Sequence, residues 1–193
     1  MAVVAVAIIM LLSLAIFSLS RLESAPWTSE LLDLKIQGTL RKKLPQFEYT
    51  DGNKKLTPQN FEKKWTLLSF WSYTCPPCLV EMPALNQLAM SWSGVELEVM
   101  TVNIDEDKSE ALQMAKAFLQ DEEIELPTIW DKQKVLANAF AVNIYPKHFL
   151  INPQGEIIWE GQGAYQWDSQ ASRDQLVKLT EQQTPETIQD PVE

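Results

Sequence analysis

The stretch LLSFWSYTCPPCLVEMP, Leu67–Pro83, decides the fold. It holds the chain's only two cysteines, Cys75 and Cys78, with two prolines between them. The run TLLSFWSY, Thr66–Tyr73, is short and apolar, which suits a buried central strand. A helix is predicted directly after it. Pro76 and Pro77 fit a first turn, where backbone N–H groups lack helical partners. Leu79, Met82, Leu85, Leu88, Ala89 and Trp92 recur at helical spacing. Pro83 falls inside this helix and is expected to kink it.

A strand-to-helix junction gives the cysteine pair its chemistry. Cys75 lies at the helix N-terminus, near unpaired N–H groups and the positive end of the dipole. Both favour the thiolate, the form that attacks disulfides. Cys78 lies about one turn on, close enough to close a ring with Cys75, and deeper. The expected cycle is thiol–disulfide exchange, in which Cys75 attacks, a mixed disulfide forms and Cys78 resolves it. Pro76 and Pro77 remove two donors that could stabilise the thiolate, so the pair is expected to be reducing. A structural zinc site needs four ligands, and the chain has two Cys and one His. A second reading stays open, in which the two sulfurs and His148 hold Cu(I) as a metallochaperone module.

Outward from this stretch, strands and helices alternate. VELEVMTVNI (Val95–Ile104) reads as a strand, SEALQMAKAFLQ as an amphipathic helix, ELPTIWD as a short strand and QKVLANAFAV as a helix. KHFLINPQGEIIWEG reads as a hairpin turning at Pro153-Gln154-Gly155, and DSQASRDQLVKLTEQQ as a closing helix. Upstream, LPQFEYTDGNKKLT alternates and turns at Asp51-Gly52, and NFEKKW is a helical turn. The order predicts an α/β three-layer sandwich on a mixed sheet, its last two strands antiparallel.

The first residues are of a different kind. AVVAVAIIMLLSLAIFSLS, Ala2–Ser20, is apolar and uncharged. At about 1.5 Å per residue it is just long enough to cross a hydrocarbon core. It lacks a basic start and a good cleavage site, so a signal-anchor fits better than a cleaved signal peptide. No Cys follows it for acylation. The chain therefore divides into an anchor (1–21), a tether (22–43), a domain (44–183) and an acidic tail (184–193) expected to be disordered. Basic residues after the span would keep the domain in the cytoplasm by the positive-inside rule. Net charge is −10 over 193 residues, which argues against nucleic acid or an anionic lipid surface as partner.

In order along the chain, these segments resemble the thioredoxin fold. More closely, they resemble the membrane-anchored thiol-disulfide oxidoreductases of the TlpA/ResA/CcmG type, from about Leu44 to Thr180. Phe70-Trp71, CPPCLVEMP, VNIDED and YPKHFLINPQGEI carry the resemblance. It implies that Pro146 is a cis-proline facing the disulfide, with the backbone of Tyr145 free to pair with a bound peptide. Thr74 stands where the family usually has Trp, and Tyr73 is the candidate for the lost aromatic cover. Ser69 stands where thioredoxins carry a buried acid. Glu106 matches an acid near the pair in ResA-like proteins and is nominated as proton acceptor for Cys78, against the alternative of a solvated loop acid. Glu81 matches a frequent family acid or is a helix-surface charge. His148 replaces a family Thr and is either a strand side chain or a neighbour of the disulfide.

The resemblance implies an enzyme that needs no cofactor. Its clients would be protein thiols and disulfides, among them haem-site cysteines of apocytochrome c, and its electron donor a DsbD-type membrane reductase. Such a reducing dithiol belongs in an oxidising space, which places the domain in the periplasm, as a monomer, against the charge rule. A thiol peroxidase is disfavoured, since its Pro-x-x-x-Thr-x-x-Cys pattern is absent.

Overall fold

The computed structural model describes residues 41–51 and 54–182. The expected anchor, the tether up to residue 40 and the acidic tail lie outside the described residues. Among the described residues no helix is long and apolar enough to cross a membrane.

In chain order the strands are β1 (Lys42–Lys43), β2 (Tyr49–Asp51), β3 (Lys54–Leu56), β4 (Trp65–Trp71), β5 (Leu97–Asn103), β6 (Thr128–Trp130), β7 (Lys147–Ile151) and β8 (Glu156–Gln162). The helices are α1 (Pro76–Ser91), α2 (Glu110–Asp121), α3 (Val135–Ala139) and α4 (Gln170–Glu181), with a 3-10 turn at Pro58–Phe61. Six strands form one mixed sheet in the order β1-β8-β7-β4-β5-β6, and β2 and β3 pair separately. This is the expected α/β sandwich on a mixed sheet.

Every residue of β4 is buried. It runs parallel to β5 and antiparallel to β7, so both edges are paired and both faces covered. Its side chains alternate between two cores. Trp65, Leu67 and Trp71 join Leu85 and Leu88 of α1, Ala115 of α2, and Leu176 and Leu179 of α4. Leu68 and Phe70 join Leu136 and Ala137 of α3, Phe61 and Leu56. Burial of side chains this size contributes about 1.5–3 kcal/mol each, which is why the strand carrying the cysteine loop is the anchored centre of the sheet.

The structure differs from the sequence expectations at three elements, the first being the helical turn expected at NFEKKW, which lies at Pro58–Phe61 with Trp65 already in β4. Lys42 and Lys43, the last two residues of the expected tether, pair antiparallel with Ile157 and Glu156 as an edge strand. Exposed lysines on an edge give no alternation to read. QKVLANAFAV yields only the five-residue α3, bounded by left-handed backbone at Lys134 (φ 56°) and Ala141 (φ 54°). Its start is fixed by the Asp131 carboxylate, which accepts the N–H groups of Val135 at 2.7 Å and Ala137 at 2.9 Å.

Candidate active site

Cys75 and Cys78 form a disulfide with their Cα atoms 5.3 Å apart. Cys75 is the last extended residue before α1. It is half-buried, whereas Cys78 is wholly buried in the core beneath the helix. The helix tip has an unusual donor arrangement. Pro76 and Pro77 carry no N–H. The next two N–H groups, of Cys78 and Leu79, both donate to the Cys75 carbonyl, at 3.0 and 3.3 Å. No first-turn backbone donor is left over for a Cys75 thiolate. The helix dipole remains to favour a thiolate there.

The loop entering the pair is held from β5. Asp105 is buried and accepts from the Ser72 hydroxyl at 2.5 Å, the Tyr73 N–H at 2.9 Å and the Asn103 amide at 2.8 Å. Ser72 Oγ in turn accepts the Thr74 N–H at 3.1 Å. Tyr73 is half-buried and packs on the same core as Cys78.

The loop before β7 shares a core with the cysteine pair, since Tyr145 and Cys75 pack against the same buried cluster. The Tyr145–Pro146 bond is cis. Pro146 is buried, and its carbonyl accepts the Gly163 N–H at 3.0 Å. Tyr145 is half-buried, and burial holds its hydroxyl above the ordinary value. Neither its N–H nor its C=O forms a hydrogen bond within the described residues. Exposed apolar side chains stand on both segments: Val80 of α1 at 78% and Ile144, next to Tyr145, at 51%, with Pro76 and Pro77 also exposed.

The nominated acid, Glu106, and the family acid, Glu81, are placed differently. Glu106 is 71% exposed on its side chain and pairs with Lys134 Nζ at 3.0 Å, the setting of a solvated loop acid. Glu81, the only charged residue in α1, is 2% exposed. Its Oε2 accepts the Tyr165 N–H at 3.2 Å and the Trp167 indole N–H at 3.4 Å, and lies 3.4 Å from His148 Nε2. His148 is wholly buried, with Nε2 3.1 Å from the Gly163 carbonyl and its ring edge-on to Tyr165 and Trp167. The described residues contain no group of three His, Cys, Asp or Glu side chains able to hold a metal.

Sequence reasoning singled out Cys75, Cys78, Tyr73, Tyr145, Pro146, His148 and Glu106, the last of which stands in solvent, and it passed over Asp105. A signal for Asp105 existed: Thr101, Asn103 and Asp105 continue the period-two buried face of β5.

The sequence profile of the AhpC/TSA family matches residues 40–160. Thiol-disulfide oxidoreductase ResA of Bacillus thuringiensis subsp. konkukian is 28% identical over 145 residues, covering 75% of this chain and 78% of that protein. Among solved structures, StoA from Bacillus subtilis superposes with a TM-score of 0.55 at 22% identity, over 69% of this chain and 93% of that one. A thiol:disulfide interchange protein of the thioredoxin family from Chlorobium tepidum gives 0.57 at 21% identity, over 73% and 97%.

Proposed function

Because this chain belongs to the AhpC/TSA family, and folds as a thioredoxin-like domain, we propose that it is a thiol-disulfide oxidoreductase that reduces protein disulfides. The carrying observation is the Cys75–Cys78 disulfide, with Cys75 half-buried at a helix tip and Cys78 wholly buried. In the reduced state the Cys75 thiolate attacks a client disulfide and releases the first client thiolate. Cys78 then loses its proton and attacks Cys75 Sγ, releasing the second client thiol and closing the ring. The client gains two electrons and the pair loses two. The Tyr145 backbone and the apolar rim of Val80 and Ile144 receive the client chain, and Glu81 is the buried carboxylate nearest in sequence to Cys78.

The reducing direction is supported by the helix tip, where no backbone donor is free for the thiolate. A potential near the about −120 mV of the strongest periplasmic oxidants would overturn it. The apolar segment Ala2–Ser20 supports a membrane anchor, and a reductant held at a membrane fits a periplasmic domain fed by a DsbD-type reductase. Apocytochrome c thiols are the client class that the ResA resemblance favours, and the domain works as a monomer. Reduction of a protein disulfide by the full chain, driven by dithiothreitol, tests the central reading. Activity must disappear in Cys75→Ser and in Cys78→Ser, and an unaffected rate in either would refute it.

A further inference from the structure

The exchange cycle requires Cys78 to give up a proton while wholly buried. The core face beneath α1 contains a polar cluster able to take part. Ser69 of β4 and His148 of β7 are direct cross-strand partners, so their side chains share a face. Both are wholly buried, and Glu81 joins them from α1. Ser69 Oγ, Glu81 Oε1 and His148 Nδ1 have no hydrogen-bond partner. Buried polar atoms are rarely left so without a role.

The chemistry fixes the histidine's tautomer. The Gly163 carbonyl can only accept, so the hydrogen of His148 sits on Nε2. The same nitrogen lies 3.4 Å from Glu81 Oε2. Two donors thus converge on Oε2, from Tyr165 and Trp167, with the His148 ring nitrogen 3.4 Å away, and none reaches Oε1. Cys78 stands three residues before Glu81 on the helix, and residues so spaced are surface neighbours. The ionisable side chains found against Glu81 are His148 and Tyr165. Burial holds the Tyr165 hydroxyl above its ordinary value, so it stays neutral.

We propose that His148 is a positioning residue of the redox site: its Nε2 edge, 3.4 Å from Oε2, holds the Glu81 carboxylate from that side, leaving Oε1 to accept the Cys78 proton. The proposal rests on the exchange reading above. In the resolving step the Cys78 S–H bond breaks and its proton goes to Glu81 Oε1. The sulfur's electron pair forms the bond to Cys75 Sγ, and the client thiolate departs with the electrons of the mixed disulfide. Re-reduction of the pair returns the proton to Cys78.

The test is single-turnover resolution of a Cys75 mixed disulfide with 5-thio-2-nitrobenzoate, followed by absorbance of the released thiolate. It spans about pH 5 to about pH 10, bracketing ordinary carboxylate and thiol ionisation. His148→Leu should slow release about ten- to a hundredfold at neutral pH, with the gap closing at high pH as hydroxide replaces the carboxylate. His148→Gln keeps an N–H donor and should recover to within about threefold of wild type, and Glu81→Gln should match His148→Leu. Superimposable pH profiles for wild type and His148→Leu would overturn the assignment. So would a His148→Gln profile as slow as that of His148→Leu when both melt like wild type. If His148→Leu does not fold, a wild-type profile in Glu81→Gln overturns it equally. Failure of the wild-type protein to form the mixed disulfide at any pH would remove the exchange reading itself, and this assignment with it.

Discussion

Asp105 accepts the backbone N–H of Tyr73 at 2.9 Å across 32 residues of sequence. One carboxylate thereby ties the end of β5 to the loop that delivers Cys75. Asp105→Ala would strand the Ser72 hydroxyl, the Tyr73 N–H and the Asn103 amide without their acceptor. Hydrogen bonds to charged groups are worth about 1.5–3 kcal/mol, and a loss of that size is expected in denaturant unfolding of the oxidised protein. An unchanged midpoint would show the clamp to be incidental.

The unequal burial of the two sulfurs predicts unequal trapping. Cys78→Ala should hold clients as stable mixed disulfides on Cys75, visible as higher-mass bands on non-reducing gels. Cys75→Ala should hold almost none, since Cys78 is 0% exposed. Equal trapping by both variants would reverse the assigned roles.

The apolar rim should matter most for protein clients. Val80→Asp and Ile144→Asp are each expected to lower kcat/KM toward a protein disulfide about five- to tenfold, or roughly 1–1.4 kcal/mol. The rate with oxidised glutathione should fall less, because a small disulfide buries less of the apolar surface than a protein client does. Equal losses on both substrates would point to damage at the sulfurs instead.

Burial raises the Asp131 carboxyl above its ordinary value of 3.8, against the lowering effect of its hydrogen bonds from the start of α3. A raised carboxyl binds its proton more tightly in the folded state, so this group's contribution to stability falls as pH rises from 3.8 through the folded value, and is flat above it. The stability difference between wild type and Asp131→Asn should therefore shift against the wild type across that window. Melting temperatures of both proteins on a pH series would reveal it, and a difference that grows in favour of the wild type would contradict the sign.

Gly161 stands opposite His148 in the β7–β8 pairing. A Cβ there would run into the Trp159 ring and the Tyr165 hydroxyl. Both rings belong to the aromatic group around the buried histidine. Gly161→Ala is expected to destabilise by about 1–3 kcal/mol, the usual range for overpacking, in the same unfolding assay. A neutral result would mean that the rings have room to move.

Much of the domain was legible because its strongest signals are local. An apolar run into Cys-Pro-Pro-Cys fixes a strand, a turn and a helix in 17 residues, Leu67–Pro83. The Pro153-Gln154-Gly155 turn fixed the β7–β8 hairpin in the same way, with Gly155 at φ 72°. Lys42–Lys43 was not legible, because an edge strand of two exposed lysines buries nothing that a pattern could register. The acids were harder still. Composition makes Glu81, Asp105 and Glu106 equivalent, and their position in the pattern of buried residues separates two buried carboxylates from one in solvent. Glu81 did carry a clue, since Cys78, Glu81, Leu85 and Leu88 lie along one helical stripe and all are buried.

The Asp105 clamp on one side of Cys75 and the proline pair on the other have a kinetic consequence. The approach loop is tethered through Ser72 and Tyr73, and Pro76 and Pro77 fix two backbone torsions of the first helical turn. The accessible sulfur is thus preorganised: its neighbourhood is ordered once, when the chain folds, and need not be ordered again each time a bond is exchanged.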